Sequence, residues 1–415
     1  MKSFLSSKSA LFLICALLLT AVPLAQDKGE EKILTRWSGF VKNDFFFDSR
    51  QTISAREGQF LLFPSAVSPD PDGEDLNAAP SFNFLALQSR LAFDVSGPER
   101  LGAALSARIE GDFFAQANDN INLFRLRHAY IKMRWPKAEL LAGQFWIPMF
   151  IPGCYPGTVS FNTGTPIQPF GRSPQIRLTR YHGDFAWVGI LSGQRDFASR
   201  GPEGVSSAYL RNSVLPEASL QWHLQKEKLY AGLGGSVKKI IPQLRSGSGY
   251  RTNEGLLSFN AIAFLKITSP YLLIKAEGVY GQNIPDVLSI GGFGVSDSLD
   301  PVKGLVAYSP LSTLSAWLDV ESRGAQWKFG VFAGHTSNLG ASEEIIGPVY
   351  GLATNIRSLY RISPRMVYQV SPLRLALELE YTEASYGASF DKKAKPEDLT
   401  SAANLRVLLA MYYFF

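Results

Sequence analysis

The sequence predicts an all-β fold: a 16-stranded antiparallel transmembrane β-barrel with an inward-folded constriction loop. Three observations predict it. Apolar and polar residues alternate with a period of two along almost the whole chain, tight turns alternate with long loops, and an N-terminal export signal is matched by a last strand that ends on an aromatic residue.

The chain divides into a signal peptide, residues 1–25, and a barrel, residues 26–415. Lys2 and Lys8 bracket a short polar segment, Leu11 to Leu19 is apolar, and small residues follow to Ala25. That apolar run suits secretion and is too short to span a bilayer, which takes about 20 residues. Cys15 follows Ile14, which is bulkier than the small residue that lipoprotein processing requires. Once the signal is removed, Cys154 is the only cysteine, so no intramolecular disulfide forms. Two of the charges in the formal net +5 leave with the signal, and no polybasic run is interleaved with aromatics, so nucleic acid is not an expected partner. Past the signal no continuous 20-residue apolar stretch occurs, which excludes helical spans.

Alternation is clearest at Leu373 to Thr382. Leu373, Leu375, Leu377, Leu379 and Tyr381 take one parity; Arg374, Ala376, Glu378, Glu380 and Thr382 take the other. Residues 101–114 and 85–95 repeat the pattern, with Leu85, Leu87, Leu91, Phe93 and Val95 set against Gln88, Arg90 and Asp94. The two parities lie on opposite faces of a strand. A soluble sandwich alternates too, and loop lengths separate the two folds. Strands are predicted near 36–48, 81–96, 101–115, 122–135, 138–147, 173–181, 184–194, 215–225, 228–238, 253–268, 270–283, 311–321, 325–336, 357–371, 373–385 and 400–415, the fourteenth interrupted at Ser363-Pro364. Tight turns such as 96–99, 135–137, 182–184 and 226–228 alternate with mostly long loops at 49–80, 116–121, 148–172, 195–214, 239–252, 284–310, 337–356 and 386–399. This segregation belongs to a barrel with both chain ends in the periplasm. Closure is the physical reason: each unpaired backbone group in hydrocarbon costs several kcal/mol, so a sheet persists there only without edges. The last strand carries Leu405, Val407, Leu409, Met411, Tyr413 and Phe415 on one parity, resembling the signal read by the barrel assembly machinery. Trp37, Trp135, Tyr181, Trp187, Tyr271, Tyr360, Tyr413 and Phe415 fall near strand ends and are expected in the girdles at the headgroups.

The segments Ser89-Arg90-Leu91-Ala92-Phe93, Ile109-Glu110-Gly111-Asp112-Phe113-Phe114, Arg125-Leu126-Arg127-His128-Ala129-Tyr130, Leu141-Ala142-Gly143-Gln144-Phe145-Trp146 and Arg172-Ser173-Pro174-Gln175-Ile176-Arg177 follow in order. Together they resemble the DcaP-like porins, densely over residues 81–181 and thinly beyond. The resemblance implies a bacterial outer-membrane homotrimer that takes up small organic acids, with outer-membrane lipids as its surroundings. Only Gln26 to Thr35 precede the first strand, so the family's N-terminal coiled-coil stalk is not expected.

Residues 148–172 carry Pro148, Pro152, Pro156, Pro166 and Pro169 with four glycines, so neither helix nor strand persists there. In porins resembling this chain, the loop after the fifth strand folds into the lumen; the alternative is an ordinary surface loop. Arg90, Arg108, Arg125, Arg127 and Arg177, with Glu110 and Asp112, are the expected pore-lining residues. Unpaired arginines would favour small anions; arginines paired with Glu110, Asp112 and Asp94 would brace the wall instead. Arg125 and Arg127 take the parity of Ala129 while Lys132 and Arg134 take the other, so either a bulge switches faces or the later charges lie near the rim. A lipase- or protease-type barrel enzyme or a structural barrel is the alternative function. His128, His182, His223 and His335 fall in no catalytic signature, and no cofactor or metal motif is present. A gated receptor barrel would need a plug domain and more strands.

Overall fold

The computed structural model describes residues 32–415, so the proposed signal peptide lies outside the described residues. Sixteen strands form one closed sheet. They are β1 (Leu34–Asp48), β2 (in two pieces, Ser81–Leu85 and Arg90–Ser96), β3 (Ala104–Asp112), β4 (Arg125–Trp135), β5 (Ala138–Trp146), β6 (Arg172–His182), β7 (Phe185–Ser192) and β8 (Glu217–Gln225). The second half comprises β9 (Leu229–Ile240), β10 (Leu256–Thr268), β11 (Leu272–Gln282), β12 (Leu305–Ser322), β13 (Trp327–Ala341), β14 (Ile356–Val370), β15 (Leu373–Phe390) and β16 (Pro396–Phe414). Each strand pairs antiparallel with its sequence neighbours. β1 closes the ring by pairing with β2 on one side and, from Phe40↔Phe414 to Asp48↔Arg406, with β16 on the other.

The period of two becomes an inside and an outside. On β15, Leu375, Leu379 and Tyr381 are exposed on the outer surface, while Glu378, Glu380 and Thr382 are buried. β10 repeats this, with Leu257, Phe259, Leu265 and Ile267 outward and Ser258, Asn260, Ile262 and Phe264 inward. So many exposed aliphatic side chains in a band would be untenable in water and are suited to hydrocarbon. Trp37, Trp187, Tyr271, Tyr413 and Phe415 are exposed near strand ends as expected. Tyr181 is not in the girdle: it faces inward, beneath the Arg134 guanidinium at 5.2 Å.

Several boundaries differ from the alternation. Residues 86–89 form a turn (Ser89 N donates to Ala86 O, 3.2 Å) that breaks β2 and turns Leu87 inward, away from the lipid parity of Leu91. The Ser89 hydroxyl accepts from Lys42 N at 3.0 Å, replacing the missing ladder bond. Ser363-Pro364 does not interrupt β14; Pro364 faces outward within a continuous strand. Segment 386–399 is not a long loop, since β15 and β16 keep pairing as far as Phe390↔Pro396 and turn tightly through Asp391–Lys395. Beyond the membrane no lipid enforces apolar alternation, so the sequence pattern fades while backbone pairing continues. The 284–310 segment likewise holds a strand, Gly291–Asp300, paired with the start of β12 and with Val349–Leu352.

The wall is uneven. β3, β5, β7 and β8 have eight or nine residues, whereas β12 and β15 have 18 and β16 has 19. A further departure lies inside: the main apolar core is in the barrel itself, where Phe60, Phe63, Phe114, Phe150, Phe161, Phe170, Trp317 and Phe332 pack together.

Candidate functional site: the lumen and its inward loop

Trp146 ends β5, and the chain then enters the barrel. Short turns replace regular structure: Cys154 N donates to Ile151 O (2.8 Å) and Ile167 N to Gly164 O (3.0 Å). Gly164 has φ +83°, and a Cβ there would lie 3.0 Å from the Phe332 ring, so glycine is required. The loop's backbone is satisfied by the wall, which permits irregular chain at membrane depth. Gln221 of β8 donates to Pro148 O (2.5 Å), Gly157 N donates to Asp319 of β12 (3.1 Å), and Glu378 of β15 accepts from Val159 N (2.6 Å) and Ser160 N (3.0 Å). Lys42 of β1 donates to Val159 O (3.1 Å), Asn162 Nδ2 donates to Glu380, and Arg361 of β14 donates to Thr165 O (2.7 Å). Residues 148–172 therefore cross the lumen from β8 to β1. Cys154 is buried among them, its thiol directed at Leu265 O.

Facing the loop is a ladder of charge on β2–β4. Arg125 Nε lies 2.8 Å from Asp112 Oδ1, and Arg127 bridges Glu110 (2.8 Å) and Asp112 (2.9 Å). Arg108 reaches Glu110 (2.8 Å) and Asp94 (3.1 Å), and Arg90 lies 3.6 Å from Glu110. The bulge anticipated on β4 is present. Glu110 pairs with His128 and Gly111 with Leu126, so Arg127 is the extra residue, and both Arg127 and His128 point inward. Loop and ladder meet through aromatic rings: Phe161 stacks on Phe114 at 3.9 Å, and Arg125 sits 4.7 Å over Phe114.

Six of the seven expected pore residues are thus brought into one network. Arg177 lies apart. It donates to neutral acceptors, Gln175 Oε1 (3.1 Å) and Trp146 O (3.3 Å), and borders a cavity of about 680 Å³ at the short-turn end, shared with Lys132, Glu139, Tyr181, His223 and Tyr230. A second charged wall, not expected from the sequence, also lines the lumen. Arg406 pairs with Asp48 (2.6 Å), Arg365 with Asp319 (2.8 Å) and Glu321 (2.9 Å), and Lys42 with Asp44 (3.0 Å). Arg172, at the end of the loop, pairs with Asp196 at 2.5 Å. Their signal was available: these strand residues take the polar parity of β1, β12, β14 and β16.

No family profile matches the sequence, and no curated protein matches it. The folds of solved structures do. The outer membrane channel DcaP of Acinetobacter baumannii is similar over 92% of this chain and 97% of its own, with a TM-score of 0.67 at 15% identity. OmpT, an outer membrane protein of Vibrio cholerae, aligns over 94% and 99% with a TM-score of 0.53 at 12% identity. The anion-selective porin from Comamonas acidovorans aligns over 92% and 100% with a TM-score of 0.55 at 10% identity. The chain has the 16-stranded barrel fold of the outer-membrane porins.

Proposed function

We propose that this protein is a porin of the bacterial outer membrane that passes small hydrophilic solutes and modestly favours small organic anions. The observation that carries the reading is a charged wall and an inward loop facing each other inside a closed barrel whose outer band is apolar. In a narrow lumen with low-dielectric walls, such charges set the local concentration of ions. The preference is modest because Arg90, Arg108, Arg125 and Arg127 face Asp94, Glu110 and Asp112, leaving one excess positive charge. Arg177, held by neutral acceptors, adds to it. A homotrimer embedded in outer-membrane lipids, inserted by the barrel assembly machinery, completes the proposal; the DcaP channel's resemblance supports it.

This reading assigns no catalysis to the chain. His223 bonds Gln221 (3.1 Å) and Tyr230 (3.0 Å), His335 lies 3.5 Å from Ser337 on the outer face, and His128 packs against Phe145 and Trp146. These settings resemble wall positions more than a nucleophile–base pair. Planar-bilayer recordings test the proposal. Stepwise conductance with a reversal potential on the anion side is expected under a salt gradient; lipase or protease activity without conductance would reject it.

A further inference from the structure

The segment between β1 and β2 does not behave as a surface loop. Thr52–Ala55 and Phe60–Pro64 pair as a hairpin. Its second arm, Phe60-Leu61-Leu62-Phe63, is buried on both faces, at 2, 0, 8 and 4% exposure. Four successive large apolar residues have no reason to stand in water. Here they enter the barrel mouth and join the core formed by the 148–172 loop. The Phe60 ring meets Phe161 edge-on at 5.1 Å and Phe170 at 5.5 Å.

Wall groups hold the hairpin in place from several sides. Arg406 donates to Gly58 O (2.7 Å), Tyr386 to Pro64 O (2.5 Å) and Arg56 to Phe114 O (3.2 Å), and Gln59 donates to Asp44. Arg361 is the central clamp. One of its terminal nitrogens donates to Leu62 O of the hairpin and the other to Thr165 O of the loop, each at 2.7 Å. The resulting core runs across the lumen from Leu87 and Phe114 on the β2–β3 side to Leu359 and Ala384 on β14–β15. The roomy cavity lies on the other side, at the short-turn end.

We infer that the Thr52–Pro64 hairpin is a second constriction, stacked on the 148–172 loop at the outer mouth, and that it sets the size limit of the pore. This rests on the porin reading. Small solutes have to pass the hairpin before they reach the charged ladder, so the apolar docking of Phe60 and Leu62 determines how wide the mouth stands. Size selection and charge selection are then separate, one made by the hairpin and the other by the strands.

Two variants test this in the full chain. One replaces residues 52–64 with a short Gly-Ser link; the other carries Phe60→Ser and Leu62→Ser, which loosens the docking and leaves every strand intact. Heat-modifiable migration on gels reports whether the barrel is folded. Single-channel conductance in KCl and liposome swelling with glucose, raffinose and stachyose report the opening. Both variants are expected to conduct several-fold more than the wild type and to admit larger sugars. Folded variants with wild-type conductance and the same sugar cut-off would overturn the hairpin's role while leaving the pore reading intact. Silence from the wild type and both variants would overturn both.

Discussion

Replacing Arg125 and Arg127 together with Gln should lower the anion preference of the pore. In the β2–β4 ladder, four arginines face Asp94, Glu110 and Asp112, for a net charge of +1 (4 − 3); the double variant leaves two against three, a net of −1. A unit charge about 8 Å from the ion's path, at an effective dielectric of about 40–80, contributes about 0.5–1 kcal/mol. Two lost charges shift ion partition by about 1–2 kcal/mol, or about 5- to 30-fold at low salt, and less as screening grows. The same change exposes a structural cost. Asp112 is fully buried and loses both of its closest cations, and breaking such a pair costs about 3–5 kcal/mol. Yield of heat-modifiable barrel must therefore be measured beside the reversal potential. Asp112→Asn supplies the opposite sign: net charge rises to +2 and anion preference should increase. A folded double variant with an unchanged reversal potential would refute the reasoning, showing that permeating ions do not sense this ladder.

Three further outcomes follow from the geometry. Glu378→Gln weakens the acceptor for Val159 N and Ser160 N, contacts worth about 1.5–3 kcal/mol each when charged; open-channel current noise should rise, and a trace as quiet as the wild type would count against a loop held by this side chain. Deleting Phe415 removes the pair it forms with Gly39, each N–H donating to the other's carbonyl, and should slow closure of β16 on β1; pulse-chase of membrane insertion measures the delay. Tags at residues 70, 205, 302 and 345 should label on intact cells and tags at 98, 136 and 270 should not; Val302 is 81% exposed. Labelling at 98 or 270 would invert the barrel.

The sequence read well wherever lipid imposes a rule. β15 could be placed to within a few residues because hydrocarbon tolerates no exception on Leu375, Leu377 and Leu379. Where lipid stops, so does the pattern, which is why the sequence alone places the end of β15 and the start of β16 in a loop. The irregular backbone of 148–172 was legible from its prolines and glycines, whereas its inward course was implied only by the resemblance to porins. The hairpin was not legible, although Phe60 to Phe63 stood in plain view inside a segment read only for its length. For the candidate site residues, periodicity gives a face and not a depth. Whether Arg125 meets Asp112 or open solvent depends on register, and register turned on one extra residue, Arg127. Tyr181 failed for the same reason: proximity to a strand end does not say which side of the wall a ring occupies.

The unequal strand lengths matter at the cell surface. A tilted strand climbs about 2.5 Å per residue. The ten residues by which β15 exceeds β7 therefore raise one flank of the rim about 25 Å above the other. The β15–β16 hairpin, tipped by Asp391–Lys395, stands like a mast over a low opposite bank. A solute drifting in across the low bank therefore has a shorter approach to the mouth than one arriving over the tall flank. The tip is braced rather than free, since Ala341 N donates to Lys393 O (2.8 Å) and Ile345 N to Lys392 O (2.7 Å), so the tall flank is a shared parapet of β13, β15 and β16.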